Sequence, residues 1–410
     1  MGMIIRIILF IALLFLFEFY FIKKVLKTIQ FIYPGFSGKK KKLYRNIILV
    51  FFNLYPLFVI ALWTYQTIAH PVGFRFPEGK FLDYFLIYPF WFYIILIVQC
   101  DLLFLIVDII KLILFPVYKT FKAKIIPYET RLFFIILVFF TAYVPLRMIY
   151  DYNTINIRDT VYHKKDIPEV LNNFRIVFIS DIHADRYTDK KRILKFVKDV
   201  NSQNPDLVLI GGDFISSGPE YIDTAAIYLG RITSKYGIYS CVGDHDNWAY
   251  RNDNERSRKE ITEALAKQNI LMYDDKKISL LIDNARIGIT FATETYPKRV
   301  RPDELDSLVD HTVSKNNLNI MLVHQPRQIV INAAVKNKYD LILAGHTHGG
   351  QITFLFPFIN LTPTLIETNR IKGDFYLGKT MMVVTPGLGM SIAPVRYNST
   401  PEVTVIDIKK

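Results

Sequence analysis

Five short motifs of this 410-residue chain gather four aspartates and five histidines, side chains able to ligate a metal: Asp181-Ile-His183, Gly212-Asp213, Gly243-Asp244-His245-Asp246, Val323-His324 and Gly345-His346-Thr-His348-Gly-Gly. Carboxylates mixed with imidazoles, with no thiolate among them, suit ions such as Mn, Fe, Zn or Mg rather than a soft-metal site. Five of the eight histidines fall in these motifs, and only His70, His163 and His311 lie elsewhere. An Asp or His at one strand end is ordinarily a loop residue, and His324 alone reads equally well as a core histidine. Asp181-x-His183 together with His346-x-His348 is harder to dismiss. Two side chains spaced by two residues face one edge only if the backbone turns there, and Gly345, Gly349 and Gly350 permit that turn.

The elements that must position these groups are legible around them. Arg175 to Ser180 runs into Asp181, Leu207 to Gly211 into Asp213, Ile238 to Val242 into Asp244, Ile320 to Val323 into His324, and Leu341 to Ala344 into His346. Runs of Val, Ile and Leu without alternation are what strands buried on both faces require. Helical patterns separate them, including the stripe Ile193, Val197, Val200 and the charged stretch from Arg251 to Asn269. In such α/β sheets, ligands bind outside the carboxyl ends of the strands. Every motif sits there.

The front of the chain has a different composition. Met3 to Ile22, Asn46 to Ile68, Tyr84 to about Pro116, and Leu132 to Tyr150 are apolar stretches, each near or above the roughly 20 residues that cross a bilayer. The first has only Arg6 as a basic start and no small-residue cleavage site before Lys23, so a retained span is expected rather than a signal peptide. This predicts a four-span α-helical transmembrane bundle over residues 1–150, followed by an α/β domain over 151–410. Lys23, Lys24, Lys27, Lys39 to Lys42 and Arg45 follow the first span, and Lys119, Lys122, Lys124 and Arg131 follow the third. Arg75 and Lys80 are balanced by Glu78 and Asp83 between the second and third. The positive-inside rule then puts the basic segments in the cytoplasm, and the domain after Tyr150 on the outer side of a cell membrane, periplasmic or extracellular.

Charge also excludes a nucleic-acid footprint. Residues 1–150 hold 17 Lys and Arg against 6 Asp and Glu, and subtraction from totals of 50 and 37 leaves 33 against 31 for residues 151–410. The basic balance belongs to the membrane loops, where it suits topology and anionic headgroups. The partner expected from this part is the lipid bilayer. Cys100 and Cys241 fall in a span and a buried strand, poor candidates to pair with each other. Among the acidic residues inside the spans, Glu18 and Asp108 lie close to Lys23 and Lys111. Asp101 is deeper, and the sequence assigns it no role.

In order and spacing the five motifs resemble those of the calcineurin-like metallophosphoesterases, which read D-x-H, G-D, G-N-H-D/E, H and G-H-x-H. The resemblance covers about residues 155–410. It is strongest to a membrane-associated branch with a GHTHGGQ motif, here Gly345 to Gln351, followed by Gly387-Leu-Gly389, Pro394-Val-Arg396 and Pro401-Glu402. It implies a four-layer α/β/β/α sandwich and two divalent metal ions. Asp181, His183 and His348 would hold the first, Asp244, His324 and His346 the second, and Asp213 would bridge. A bridging hydroxide would attack phosphorus in line. His245 would protonate the leaving oxygen or stabilise charge, with Asp246 orienting its ring. The chain departs from the pattern at Asp244, where the family has Asn, and at Phe214-Ile215-Ser216, where relatives often place a further acid.

The expected activity is that of a membrane-anchored phosphohydrolase acting on a phosphodiester, phosphomonoester or pyrophosphate, lipid-linked esters included. Two alternatives stand beside it. One is a pyrophosphatase of the UDP-2,3-diacylglucosamine type, which requires a cytoplasmic domain. The other is a metal-binding pseudoenzyme or sensor, for which Asp244 is the one supporting feature.

Overall fold

Long apolar runs become long helices at the front of the chain, and short ones become strands behind it. A computed structural model describes residues 2–69, 79–250, 252–309 and 316–410. His70, Arg75, Glu78 and His311 lie outside the described residues. The chain divides into two compact units, Met1–Ile149 with Phe354–Leu361, and Tyr150–Thr353 with Thr362–Lys410. A single boundary near residue 150 therefore misses a short later segment that packs with the helical unit.

The helical unit contains α1 (Gly2–Ile32), α2 (Gly38–Ala69), α3 (Lys80–Leu82) leading through a π turn at Asp83–Ile87 into α4 (Tyr88–Ile113), and α5 (Phe115–Asn153). Among the described residues three helical stretches are long and apolar enough to cross a membrane: Gly38–Leu62, Lys80–Ile113 and Phe115–Asn153. The first expected span falls on α1, where the side chains before Ala12 lie outside the described residues. The basic segment from Lys119 to Arg131, expected as a loop, is helical and continuous with the span after it. Its Lys, Ala, Glu and Ile content favours helix, and Pro127 removes only one N–H donor. Asp108 pairs with Lys24 at 2.8 Å and Lys111 at 2.5 Å, close to Glu129. Glu18 is instead met by Asn53 Nδ2 at 3.0 Å and Tyr93 Oη at 3.2 Å. Both oxygens of buried Asp101 lack a hydrogen-bond partner among the described residues.

The second unit is built on two six-stranded mixed sheets. One has the order β1 (Asn156–His163), β14 (Glu402–Lys409), β2 (Phe174–Ile179), β3 (Leu207–Ile210), β4 (Ile238–Cys241), β5 (Ile270–Tyr273). The other runs β12 (Gly373–Leu377), β13 (Thr380–Val384), β9 (Leu341–Ala344), β8 (Leu318–Val323), β7 (Ala285–Ala292), β6 (Lys276–Ile282). Strands β2 to β5 are parallel to one another, as are β7, β8, β9 and β13.

Side chains alternate across each strand, and both faces find a core. Ile176, Phe178, Leu207 and Leu209 meet Ile289, Phe291, Ile320, Leu322 and Leu343 between the sheets, with Cys241 among them. The opposite face of the first sheet, Val177, Ile179, Val208 and Ile210, packs on α6 (Lys190–Asn201), α7 (Ile222–Leu229) and α8 (Asn254–Ala266). Met321, Val323, Ile342 and Ala344 pack on α9 (Pro302–Val309) and α10 (Gln328–Lys336). Asp189 and Asp253 cap α6 and α8 by accepting the N–H of Arg192 and Arg256, which fixes where each crossover begins.

One buried cation holds the returning chain in place. Arg396 is fully buried and donates to the carbonyls of Gly389, Pro386, His348 and Ser399 at 2.6 to 3.2 Å. Burial followed by the charge of Arg192 lowers its pKa to about 9. Replacing Arg396 with Met would strand those carbonyls at a cost of ~3 kcal/mol. We expect a drop of roughly 6 to 12 °C in the melting temperature of this unit, measured by thermal unfolding of the full chain in detergent. An unchanged melting temperature would contradict this role.

Candidate metal centre

Strands β2, β3, β4, β8 and β9 deliver their motifs from their carboxyl ends to one edge, although they belong to two sheets. All nine residues singled out by sequence meet there. Asp181, His183 and His348 form one group whose ligand atoms lie within 4.8 Å of one another; Asp244, His324 and His346 form another. His183, Asp213 and His245 also cluster, as do Asp181, Asp213 and His324. Asp213 belongs to both halves.

The turns that bring these side chains inward are made by the candidate ligands themselves. Asp181, His183, Asp213, His346 and His348 all have left-handed backbone, with φ of 53°, 48°, 60°, 68° and 51°. That region is uncommon for residues with a side chain. Here it is held by backbone bonds such as Asp181 N–H to Gly212 O and His183 N–H to Asp213 O, both 3.0 Å. The expectation that Gly345 supplies the turn is corrected: positive φ falls on Gly349 and Gly350. A Cβ at Gly345 would instead run into Ser180 and the Asp181 carboxylate. That glycine provides room.

The spacing of donor atoms tests whether this cluster suits metal. Ligands about 2.1 Å from one ion, at tetrahedral or octahedral angles, stand roughly 3.0 to 3.4 Å apart. His183 Nε2 and His348 Nε2 are 3.1 Å apart, and His348 Nε2 is 3.5 Å from Asp181 Oδ1. Asp213 Oδ2 is 3.3 Å from His183 Nε2 and 3.3 Å from His324 Nε2. His324 Nε2 is also 3.3 Å from Asp244 Oδ2, which is 2.9 Å from His346 Nδ1. His324 Nε2 is buried and makes no hydrogen bond among the described residues. Imidazole nitrogens and carboxylate oxygens gathered this closely suit divalent metal ions, and one oxygen of Asp213 lies near an imidazole of each group.

The field of the cluster points the same way. Burial opposes ionisation of Asp213, but the charges of His324 and His245 outweigh it and hold this carboxyl well below its usual pKa. Burial likewise opposes charge on His324, yet Asp213 and Asp244 carry that imidazole well above its ordinary value. His346, similarly buried, is pushed up to about 9 by Asp244 and Glu367. Around His324 and His346 the cavity stabilises positive charge, whereas burial raises the Asp181 carboxyl and lowers the His348 imidazole.

His245 and Asp246 sit beside the centre with separate tasks. The Nδ1 atom of His245 is 2.5 Å from the Ser216 carbonyl; a carbonyl only accepts, so Nδ1 carries hydrogen and Nε2 is left towards Ser391 Oγ at 3.2 Å. Burial lowers this imidazole to about 4. Asp246 does not orient the ring, contrary to expectation. Its carboxylate accepts the backbone N–H of Asp213 at 3.0 Å, Phe214 at 2.8 Å and Gly243 at 2.8 Å. It pins the Asp213 and Asp244 loops to each other.

Several supporting groups were not visible in the sequence. Gln325 Nε2 donates to both oxygens of Asp244, at 2.8 and 2.6 Å, and the Tyr296 N–H donates to its Oδ1 at 2.6 Å. Arg327 Nε donates to Gln325 Oε1, which fixes the amide orientation. Glu367 Oε2 meets His346 Nε2 at 3.0 Å. The contacts to Asp244 and His346 join residues 21 to 81 apart in the chain, and no local spacing announces them. A cavity of about 730 Å³ lined by Tyr296, Arg327, His346, Glu367 and Arg370 opens beside them.

Two substitutions separate these roles. Asp246→Ala leaves three N–H groups unpaired and should cost ~3 kcal/mol of stability, whereas a ring-orienting residue would lower turnover with thermal stability intact; thermal unfolding beside kcat decides. Asp244→Asn cannot satisfy its surroundings in either amide orientation. With Oδ1 towards Tyr296 and Gln325, Nδ2 faces His324 and His346; with the amide reversed, Nδ2 faces two donors. Calorimetric titration with Mn should show the second ion's affinity falling about 10- to 100-fold. Unchanged affinity would refute the carboxylate-specific setting.

The family description "calcineurin-like phosphoesterase" matches residues 174–350. An uncharacterized metallophosphoesterase of Campylobacter jejuni is 29% identical over 60% of this chain and 61% of its own length. The Bacillus subtilis uncharacterized metallophosphoesterase YkuE is 28% identical over 59% of this chain and 82% of its own. A transmembrane protein with metallophosphoesterase domain from Danio rerio is 29% identical over 60% of this chain and 55% of its own. The chain thus spans less than two thirds of the Campylobacter and Danio relatives it matches. Residues 174–350, the stretch that carries all nine site residues, match the calcineurin-like phosphoesterase family.

Proposed function

We propose that this protein is a membrane-anchored phosphohydrolase that uses two divalent metal ions, on a four-layer α/β/β/α domain, to cleave phosphate esters or pyrophosphates. The observation that carries the proposal is Asp213 Oδ2, 3.3 Å from His183 Nε2 on one side and from His324 Nε2 on the other. The first ion is assigned to Asp181, His183 and His348, the second to Asp244, His324 and His346, and Asp213 serves both. Bound there, the ions would polarise a phosphoryl oxygen and lower the pKa of coordinated water.

The chain's own residues do the rest. Asp213 keeps its second oxygen on the His245 N–H at 2.7 Å, so one carboxylate sets both the shared ligand position and the place of the His245 backbone. His245 presents Nε2, and an approaching phosphate favours its protonated form, which can then pass a proton to the leaving oxygen. Gln325 and Tyr296 hold Asp244 as an ionised ligand. This supports an active centre over a pseudoenzyme, because a decayed site has no reason to retain donors matched to its one unusual residue.

We further propose four membrane spans, α1 among them, with the catalytic unit on the outer side. The three apolar helices, the basic segments flanking them and the likeness to a transmembrane protein of Danio rerio support a membrane protein. An alkaline phosphatase fusion after Tyr150 should be active in a bacterial host; an inactive fusion would favour the UDP-2,3-diacylglucosamine reading. For the chemistry, the full chain with Mn should hydrolyse bis-p-nitrophenyl phosphate or p-nitrophenyl phosphate. Asp213→Ala should abolish turnover, and His245→Ala should lower kcat about a hundredfold or more. No metal-dependent turnover by the metal-loaded chain on either ester would refute the enzyme reading.

A further inference from the structure

Between the metal-ligand turn and the rest of the catalytic unit, the chain makes an excursion that belongs to the helical unit. The sequence Phe354-Leu-Phe-Pro-Phe-Ile-Asn-Leu361 forms an antiparallel hairpin of β10 (Phe354–Phe356) and β11 (Ile359–Leu361), with Leu355 opposite Asn360. Seven of its eight residues are apolar. Phe358 at the tip is wholly exposed, and Ile359 is 54% exposed. Within the catalytic unit, Thr362 Oγ1 donates to Gly350 O at 2.8 Å, closing the base from which the excursion leaves.

One side chain holds the hairpin to its unit. Gln99, in the middle of α4, is fully buried. Its Nε2 donates to Leu355 O at 2.8 Å, and its Oε1 accepts the Leu355 N–H at 2.8 Å. The carboxamide acts as a peptide group, satisfying the edge of β10 as a third strand would. A two-stranded hairpin in water needs no such help, since solvent satisfies an open edge. In hydrocarbon an open strand edge is costly, and Gln99 removes that cost along β10.

The position of Gln99 along the helix gives the depth. Lys111 lies twelve residues further on, about 18 Å at 1.5 Å per residue, and joins Lys24, Asp108 and Glu129 in the ionic cluster at that end of the helices. An apolar slab is about 30 Å thick. A group some 18 Å from the charged end is inside it.

We infer that Phe354–Leu361 is a re-entrant hairpin inserted into the bilayer, docked on α4 by Gln99, with Phe358 and Ile359 against lipid acyl chains. The inference rests on the proposed membrane reading, and its consequence is that the chain segment following His346 and His348 is anchored in lipid.

Collision electron paramagnetic resonance on the full chain in phosphatidylcholine vesicles tests it, with a nitroxide at Phe358→Cys, at Leu57→Cys on α2 as a span control, and at Lys259→Cys on α8 as an aqueous control. Cys100 and Cys241 are buried and leave the added cysteine as the reactive thiol. We expect the Phe358 label to collide with oxygen and to be shielded from a water-soluble nickel chelate, as at Leu57 and unlike Lys259. Gln99→Leu should raise nickel access at Phe358 and leave Leu57 shielded. Nickel access at Phe358 with Leu57 shielded overturns the hairpin inference alone. Nickel access at both positions overturns it together with the membrane reading.

Discussion

The second unit is organised around a shared oxygen. Asp213 Oδ2 faces an imidazole from each side at 3.3 Å, and the strands bringing those imidazoles, β2 and β8, lie in different sheets. Three buried aspartates this close repel one another unless cations or protons sit among them. The surrounding structure is the scaffold that keeps this arrangement from relaxing. Asp246 ties two loops together through three N–H groups, Arg396 ties the returning chain to the His348 turn through carbonyls, and five candidate ligands hold left-handed backbone. Such strain persists where packing over-determines it.

Much of this was legible because the strands are buried on both faces. Unbroken aliphatic runs such as Leu207 to Ile210 and Leu341 to Ala344 have few alternatives to a buried strand, and the residue ending each run is necessarily at the sheet edge. The nine site residues are close in space because each follows such a run. What periodicity does not encode is which sheet a strand joins. The division into two sheets was expected only from family resemblance, and it depends on pairings between distant segments, such as β13 with β9.

The supporting groups were illegible for the same reason. Gln325, Tyr296 and Glu367 are ordinary residues in ordinary loops until the fold places them on Asp244 and His346. The role given to Asp246 was mistaken because proximity in sequence to His245 suggested a side-chain partner, whereas the 3₁₀ turn at His245–Asn247 directs the carboxylate back to the preceding loops. The hairpin at Phe354–Leu361 was hidden by its size, since strands of three residues carry too little pattern to distinguish from an aromatic loop. Its attachment through Gln99 links residues 256 apart in the chain.

The number of ions the site holds can be counted directly. Elemental analysis of the full chain, purified and reconstituted with Mn, should give two ions per wild-type chain, with exchange coupling between them visible in the low-temperature electron paramagnetic resonance spectrum because they share Asp213. One ion per chain, or two with no magnetic coupling, would contradict the account.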